Sequence, residues 1–340
     1  MRVEPCKLEE HWLKRLFQLG REVTQTSLVM GMVLVLLLCL LTTPFRSALT
    51  ESAAQQFDNH PPQLSLAQQT APPKRRVGVG ASFKGPVGLQ LYSLRNEFKR
   101  DGVPATLQRV RAMGFREVEA GNFYGLTAKQ FRAELDKAGL RAVCLHASFD
   151  NLRTKLNDIV SDAQTLGAEY VANAWIPHQR PFSLDAAKQA VLVFNQAGAV
   201  LKAAGLKFCY HPHGYEFQPH GEGTLFDLMV QQTKPDLVNF ELDVFWALHG
   251  GQDPAKLLQT YPKRFLLVHL KDLHKDVAGD LTGNAPDDTS VVLGTGKVDW
   301  PAVLRAAKQA GVKWYFIEAE EPEAAANIPL SLAFLERLRF

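Results

Sequence analysis

From Val87 to Phe340 the sequence predicts an α/β fold, a (β/α)8 TIM barrel. Three observations predict it. Eight short apolar runs alternate with segments of helical periodicity over about 250 residues, the length of one such barrel. The apolar runs are continuous rather than alternating, as expected for a sheet covered on both faces. The later runs also end on side chains that bind cations, and chemistry in such barrels sits where the strands end. An open doubly wound sheet fits less well, because no Gly-rich phosphate turn follows the first run.

The elements follow in order. VGLQLYS reads as the first strand, and PATLQRVRAMG as a helix stopped by Gly114. FREVEAG is the second strand, and its helix TAKQFRAELDKAG opens on a Thr cap and closes on Gly139. LRAVCLHAS and a helix from Leu152 to Leu166 form the third unit. AEYVANAW and the long helix from Ser183 to Ala204, closed by Gly205, form the fourth. LKFCYH leads to a helix around Thr224 to Thr233, LVNFELDVF to one from Pro254 to Tyr261, and RFLLVHL to one from Trp300 to Ala310. VKWYFIEAE is the eighth strand, and Glu323 to Arg339 completes the chain. The connection from Leu273 to Gly296 is too polar and too long for a plain loop, and reads as a lid or specificity loop or as a surface insertion. The Gly pair of LGTGKVDW, which follows it, is no sign of nucleotide binding.

Polar groups gather at the strand ends: Gln90 on the first, Glu119 after the second, His146 on the third and Trp175 after the fourth. The fifth carries His211, His213 and Glu216, the sixth Asp243, the seventh His269 and Lys271, and the eighth Glu318 and Glu320. Side chains two apart on a strand share a face, so Glu241 with Asp243, His269 with Lys271, and Glu318 with Glu320 can each point to the axis together. Each has a duller explanation: a hydrogen-bonded core histidine, a Glu318–Lys271 ion pair, or Asp243 as a helix cap. One cation explains all of them at once. A mixed carboxylate and imidazole set without thiolates suits a single Mn, Mg, Co or Zn ion with open positions for substrate oxygens.

Residues 1–47 contain the uncharged apolar stretch Ser27 to Phe45, preceded by Lys14, Arg15 and Arg21. This is the pattern of a signal peptide or membrane anchor, with an exported, periplasmic or extracytoplasmic domain beyond it. Residues 48–86, rich in Ala, Gln, Pro and Ser, read as a disordered linker. Net charge is +3, and outside residues 1–47 the chain has 32 basic and 31 acidic residues. That balance excludes an electrostatic footprint for nucleic acid and leaves a small-molecule partner, with membrane contact through the N-terminal segment and homo-oligomerisation open. Cys144 and Cys209 fall inside strands, where a thiol behaves as a small hydrophobe.

YHPHGYEF, ELDVFWALHGGQDP, RFLLVHLKD, LGTGKVDW and KWYFIEAEE, in this order, together with GLQLYSLR and GFREVEAGNFYG, resemble the sugar phosphate isomerase/epimerase family with a xylose isomerase-like TIM barrel. The resemblance spans Val87 to Phe340. It implies one divalent ion held by Asp243, His269 and Glu318 plus one group from the HPHGYE turn, with Glu216 preferred to His211. It implies proton transfer next to a carbonyl in a sugar or keto-sugar through an enediolate, with Glu216 and Glu318 as the proton-transfer pair and His213 and Lys271 assisting. Gln90, Glu119, His146, Trp175, His211 and Glu320 would bind substrate. Isomerase, epimerase and lyase or hydratase outcomes share this chemistry; a non-catalytic sugar-binding barrel and a DNA-directed metal endonuclease are the other classes, the second disfavoured by the neutral domain.

Overall fold

The computed structural model describes residues 77–340. Eight parallel strands form the barrel: β1 (Val87–Gln90), β2 (Glu117–Ala120), β3 (Arg141–His146), β4 (Tyr170–Asn173), β5 (Lys207–Tyr210), β6 (Val238–Asp243), β7 (Phe265–Leu270) and β8 (Trp314–Ile317). Each pairs with the next, and β8 closes on β1, with Val87 opposite Tyr315. The expected (β/α)8 barrel is therefore present. The expected leader (residues 1–47) and most of the linker lie outside the described residues; among the described residues no helix is long and apolar enough to cross a membrane. Residues 77–86, read as the end of the spacer, lie against the last helix. Gly78 N donates to Glu336 Oε1, Phe340 N to Ser82 Oγ, and the buried Phe83 ring meets Tyr315 edge-on at 5.0 Å.

The helices form where capping and periodicity place them. Thr127 and Gln130 make a reciprocal capping box at the start of the helix Ala128–Ala138, and Gly139 ends it in the left-handed region at φ 70°. Ser183 caps the helix Leu184–Ala203, and Thr224 with Asp227 caps Leu225–Gln232. Several boundaries differ from the sequence reading; β6, for one, ends at Asp243 and a helix Val244–His249 begins where the strand was expected to continue. The first helix starts earlier, at Arg95, and runs to Ala112 through a kink at Gly102. The third unit carries two helices, Phe149–Thr154 and Leu156–Leu166, broken at Lys155.

Strand alternation sorts the interior. Cys144, Tyr170, Cys209, Leu267 and Phe316 form one buried apolar cluster, one inward step below His146, Ala172, His211, His269 and Glu318. This layer floors the barrel mouth. Gly88 makes it possible: a Cβ there would stand 2.7 Å from the Phe316 ring. Cys144 and Cys209 are buried free thiols in the floor.

The long connection after β7 is organised by one buried carboxylate. Asp272 accepts hydrogen bonds from the backbone N–H of Leu273 (2.9 Å), Gly294 (2.8 Å), Gly296 (3.2 Å) and Val298 (3.2 Å), and from Trp300 Nε1 (2.9 Å). The LGTGKVDW motif thus wraps a carboxylate, and Gly296 is required because a Cβ would fall 2.2 Å from Asp272 Oδ1. The segment between lies over the rim: Asp272–Leu273 pairs antiparallel with Ser290–Val291, and Asp287 meets Arg95 at 2.6 Å. Replacing Asp272 with Asn puts an amide donor against these N–H groups. We expect Asp272→Asn to lower unfolding stability by about 3 kcal/mol, read as a lower urea midpoint; an unchanged midpoint contradicts the hub.

Candidate metal centre

At the C-terminal mouth of the barrel, strand alternation turns Glu119, His146, Glu241, Asp243, His269, Lys271 and Glu318 inward. All but His146 are no more than 9% exposed. They stand in two layers that share His269.

The outer layer consists of His211, Asp243, His269 and Glu318, from the ends of β5, β6, β7 and β8. Donor atoms of His211, Asp243 and His269 all lie within 4.8 Å of one another. His211 Nε2 is 3.8 Å from Asp243 Oδ2, which is 3.7 Å from His269 Nδ1. His269 Nδ1 is 3.1 Å from Glu318 Oε2. Asp243 serves two purposes. Its Oδ1 accepts from Trp246 N at 2.9 Å, capping the helix Val244–His249. Its Oδ2 is buried with no hydrogen-bond partner, as is His211 Nε2. Buried polar atoms without partners are rare. Two of them facing each other are the donor arrangement that a cation would satisfy.

The inner layer consists of Glu119, Glu241 and His146. Glu119 contacts His146 Nε2 at 2.7 Å and His269 Nε2 at 2.6 Å. Glu241 contacts His211 Nδ1 at 3.2 Å, His146 Nε2 at 3.3 Å and His269 Nε2 at 3.2 Å. Glu119, His146, Glu241 and His269 also bring one donor atom each within 4.8 Å of one another.

Burial opposes the charges of His269, His146, Glu318 and Lys271, and mutual attraction overrides it. It disfavours the His269 imidazolium, yet the carboxylates of Glu241, Glu119 and Glu318 hold that group well above its ordinary pKa. His146 is likewise pushed up to about 10, against burial, by Glu119 and Glu241. Glu318 is held well below the usual carboxylate range by Lys271 and His269, again against burial. Lys271 stands between Glu320 (2.5 Å) and Glu318 (3.6 Å), over the rings of Phe245 and Trp246. Those carboxylates raise its pKa despite burial.

The mouth opens into a cavity of about 350 Å³, lined by Gln90, His146, His211, His213, His269, Glu318 and Glu320, with Tyr92 and Trp246 on its walls. That is the lower end of the size range of small-molecule sites. A larger hollow of about 730 Å³ lies outside the barrel, between the helices Leu225–Gln232 and Pro254–Thr260. It holds none of the strand-end groups.

Of the residues expected from sequence, Asp243, His269 and Glu318 come together in the outer layer. Glu216 does not join them. Tyr210 alternates with Cys209 and His211 and so faces out of the barrel. Its hydroxyl donates a very short hydrogen bond to Glu216, which also accepts from His213 N at 3.1 Å. The turn at Gly214, φ 93°, carries Glu216 behind the strand, where burial raises its pKa to about 7. His211, expected to bind substrate or, as the alternative to Glu216, to hold the ion, stands at the β5 position of the outer layer. Glu119, also expected to touch substrate, is fully buried beneath the cavity. Trp175 is 38% exposed and packs edge-on against Tyr215 at the rim. His213 lines the cavity beside the Trp246 ring at 5.0 Å, and burial first, then His211 and Lys271, keeps it neutral. Glu241 was legible only as the inward neighbour of Asp243.

Residues 107–338 match the family described as the xylose isomerase-like TIM barrel. The chain belongs to that family. It is 26% identical to an inosose dehydratase of Geobacillus kaustophilus (strain HTA426) over 251 residues, covering 65% of this chain and 81% of that protein. Among solved structures it resembles a sugar phosphate isomerase/epimerase from Parabacteroides distasonis ATCC 8503, with TM-score 0.62 and 27% identity over 76% of this chain and 96% of that one. It shares the fold of IOLI protein with a binding zinc atom, at TM-score 0.57 and 16% identity, over 74% and 95% of the two chains.

At pH 7 the metal-free site keeps His269 protonated, because its pKa lies above the ordinary value. A divalent ion taking that imidazole displaces a proton. Loading should release about one proton per ion, and affinity should rise with pH by up to about tenfold per unit. Calorimetry in buffers of different ionisation enthalpy reads this; no proton release contradicts the outer-layer site.

Proposed function

We propose that the chain is a divalent-cation-dependent enzyme that moves a proton next to the carbonyl of a keto-sugar or cyclic keto-polyol. The observation that carries this is the outer layer: four converging donor groups, two with partnerless buried atoms, at the floor of a polar cavity of small-molecule size. The residues fit one ion of Mn, Mg, Co or Zn, which the two imidazoles of His211 and His269 and the two carboxylates of Asp243 and Glu318 would hold. When bound, that ion would supply Lewis acidity toward a substrate carbonyl and its neighbouring hydroxyl.

The chain's own groups do the rest. Glu320 lines the cavity and its carboxyl is raised above the usual range, by burial first, which makes it a better base than an exposed carboxylate. Its partner Lys271 keeps it oriented through the 2.5 Å contact and offers a proton donor beside it. His213, three strands away around the ring, is neutral with a partnerless Nδ1 and is placed to receive or return a proton on the other wall. Gln90 and His146 present polar atoms to substrate hydroxyls. Trp246 with Tyr92 supplies apolar surface for the carbon skeleton.

Two outcomes share this first step. Return of the proton at the same or a neighbouring carbon isomerises or epimerises the substrate. Loss of a β-hydroxyl eliminates water. The 26% identity to inosose dehydratases favours elimination from a cyclic keto-polyol, with Lys271 and Glu320 as the group that protonates the leaving hydroxyl.

Metal analysis of purified protein, followed by NMR of a keto-sugar and keto-polyol panel in D2O, tests this reading. Deuterium exchange without loss of water marks isomerisation, and loss of water marks elimination. Asp243→Asn and Glu318→Gln should each weaken cation binding by about 100-fold or more and abolish turnover. Glu216→Gln should leave cation binding within about twofold, since Glu216 bonds Tyr210 instead. A wild-type protein that binds no divalent ion and exchanges no substrate proton refutes the proposal.

A further inference from the structure

Two imidazoles of the outer layer have opposite faces toward the same region. His211 presents Nε2 to Asp243, and its Nδ1 lies 3.2 Å from Glu241 Oε2. His269 presents Nδ1 to Asp243 and Glu318, and its Nε2 lies 2.6 Å from Glu119 Oε2. In each ring the nitrogen turned away from the outer layer meets a fully buried carboxylate of the inner layer. A neutral imidazole carries one proton, and that proton sits on the nitrogen with the closer acceptor: Nδ1 of His211, whose Nε2 has no partner, and Nε2 of His269, where Glu119 at 2.6 Å is nearer than Glu318 is to Nδ1 at 3.1 Å. The other nitrogen then offers its lone pair.

From this we infer that Glu119 and Glu241 are positioning residues that fix opposite tautomers of the two histidine ligands. Glu119 holds the proton on His269 Nε2 and leaves Nδ1 to the cation. Glu241 holds the proton on His211 Nδ1 and leaves Nε2 to the cation. The inference rests on the cation site proposed above and adds what orients it. It also gives the inner layer a role that no substrate contact requires, because Glu119 lies beneath the cavity and outside its lining.

The competing reading of the same side chains is a second cation held by Glu119, His146, Glu241 and His269. It would need His269 to bind metal through both nitrogens, as a doubly deprotonated bridge. The 2.6 Å contact of Nε2 to Glu119 is instead the length of a charge-assisted hydrogen bond. Ligating histidines commonly donate their second N–H to a carboxylate, which orients the ring and raises its basicity. Glu241 reaches three imidazoles within 3.3 Å. It therefore also holds His146 in place between the two glutamates.

The test uses the full-length protein loaded with Zn²⁺, with ¹⁵N-labelled histidine. Long-range ¹H–¹⁵N spectra distinguish a metallated nitrogen from a protonated one in each ring. We expect His269 metallated at Nδ1 and protonated at Nε2, and His211 metallated at Nε2 and protonated at Nδ1. Glu119→Gln and Glu241→Gln should each weaken Zn²⁺ binding about 10- to 100-fold. Glu119→Gln should disturb the ring spectrum of His269 and leave that of His211, whereas Glu241→Gln should disturb His211 and, through the 3.2 Å contact of Glu241 with His269 Nε2, shift His269 less than Glu119→Gln does. Glu119→Asp should recover less of the loss than wild type but more than Gln. A merely structural carboxylate would lower thermal stability without selecting one ring. His269 metallated at Nε2, two ions per chain, or Gln variants that bind Zn²⁺ within twofold of wild type each overturn the inference while leaving the cation site intact. Absence of any bound ion in the wild type overturns the site and the inference together.

Discussion

The structure depends on keeping a dense group of carboxylates charged inside a barrel mouth. Glu119, Glu241 and Asp243 have no exposure and Glu318 has 9%. Removing such groups from water is expensive, and each must find a partner of opposite charge or a donor. Three imidazoles and Lys271 provide most of that compensation, at contacts from 2.6 to 3.8 Å. The deficit that remains falls on Asp243 Oδ2 and His211 Nε2, which face each other, and on Glu241 Oε1 and His213 Nδ1 beside them. A protein that leaves two buried polar atoms facing each other without a partner has prepared a place for something else. The apolar floor beneath, with Phe316 seated against Gly88, supports these groups from below and excludes water from that side.

The rim applies the same economy to carboxylates. Asp243 uses one oxygen to start a helix and keeps the other for the site. Asp272 gives both oxygens to backbone and indole donors, and so shapes the segment that follows β7. Glu216 is spent on Tyr210 and the turn at Gly214. Three acids, close in sequence to the strand ends, thus divide between chemistry and architecture. Which of them goes where depends on what donors stand within reach, and reach is a property of the folded chain.

Much of this was legible before any coordinate. Strand and helix spacing announced the barrel, the Thr127 cap stands where it was expected, and the helices expected to begin at Ser183 and Thr224 are capped by those residues. Asp243, His269 and Glu318 could be placed together because strand parity carries them inward at equal depth. His211 entered only as the alternative to Glu216 and as a substrate contact, although it lies two residues after Cys209, whose side chain faces inward in the structure. The preference for Glu216 came from resemblance, and it lost force beyond Gly214, where positive φ breaks the alternation that had made the strand readable. The inner layer was hidden for a related reason. Glu119 and Glu241 come from strands far apart in sequence, and only barrel closure brings both against His269.

The sequence by itself determined the number and order of units, the inward faces of the strands, and the presence of a mixed carboxylate and imidazole set at one end. Those follow from periodicity and residue chemistry, which are local. Only the folded chain settles which group of the fifth unit faces the axis, His211 rather than Glu216, which carboxylate each histidine nitrogen meets, and which carboxylates lie beneath rather than beside the cavity. Those depend on contacts between strands separated by up to 150 residues, and no local pattern encodes a contact of that range.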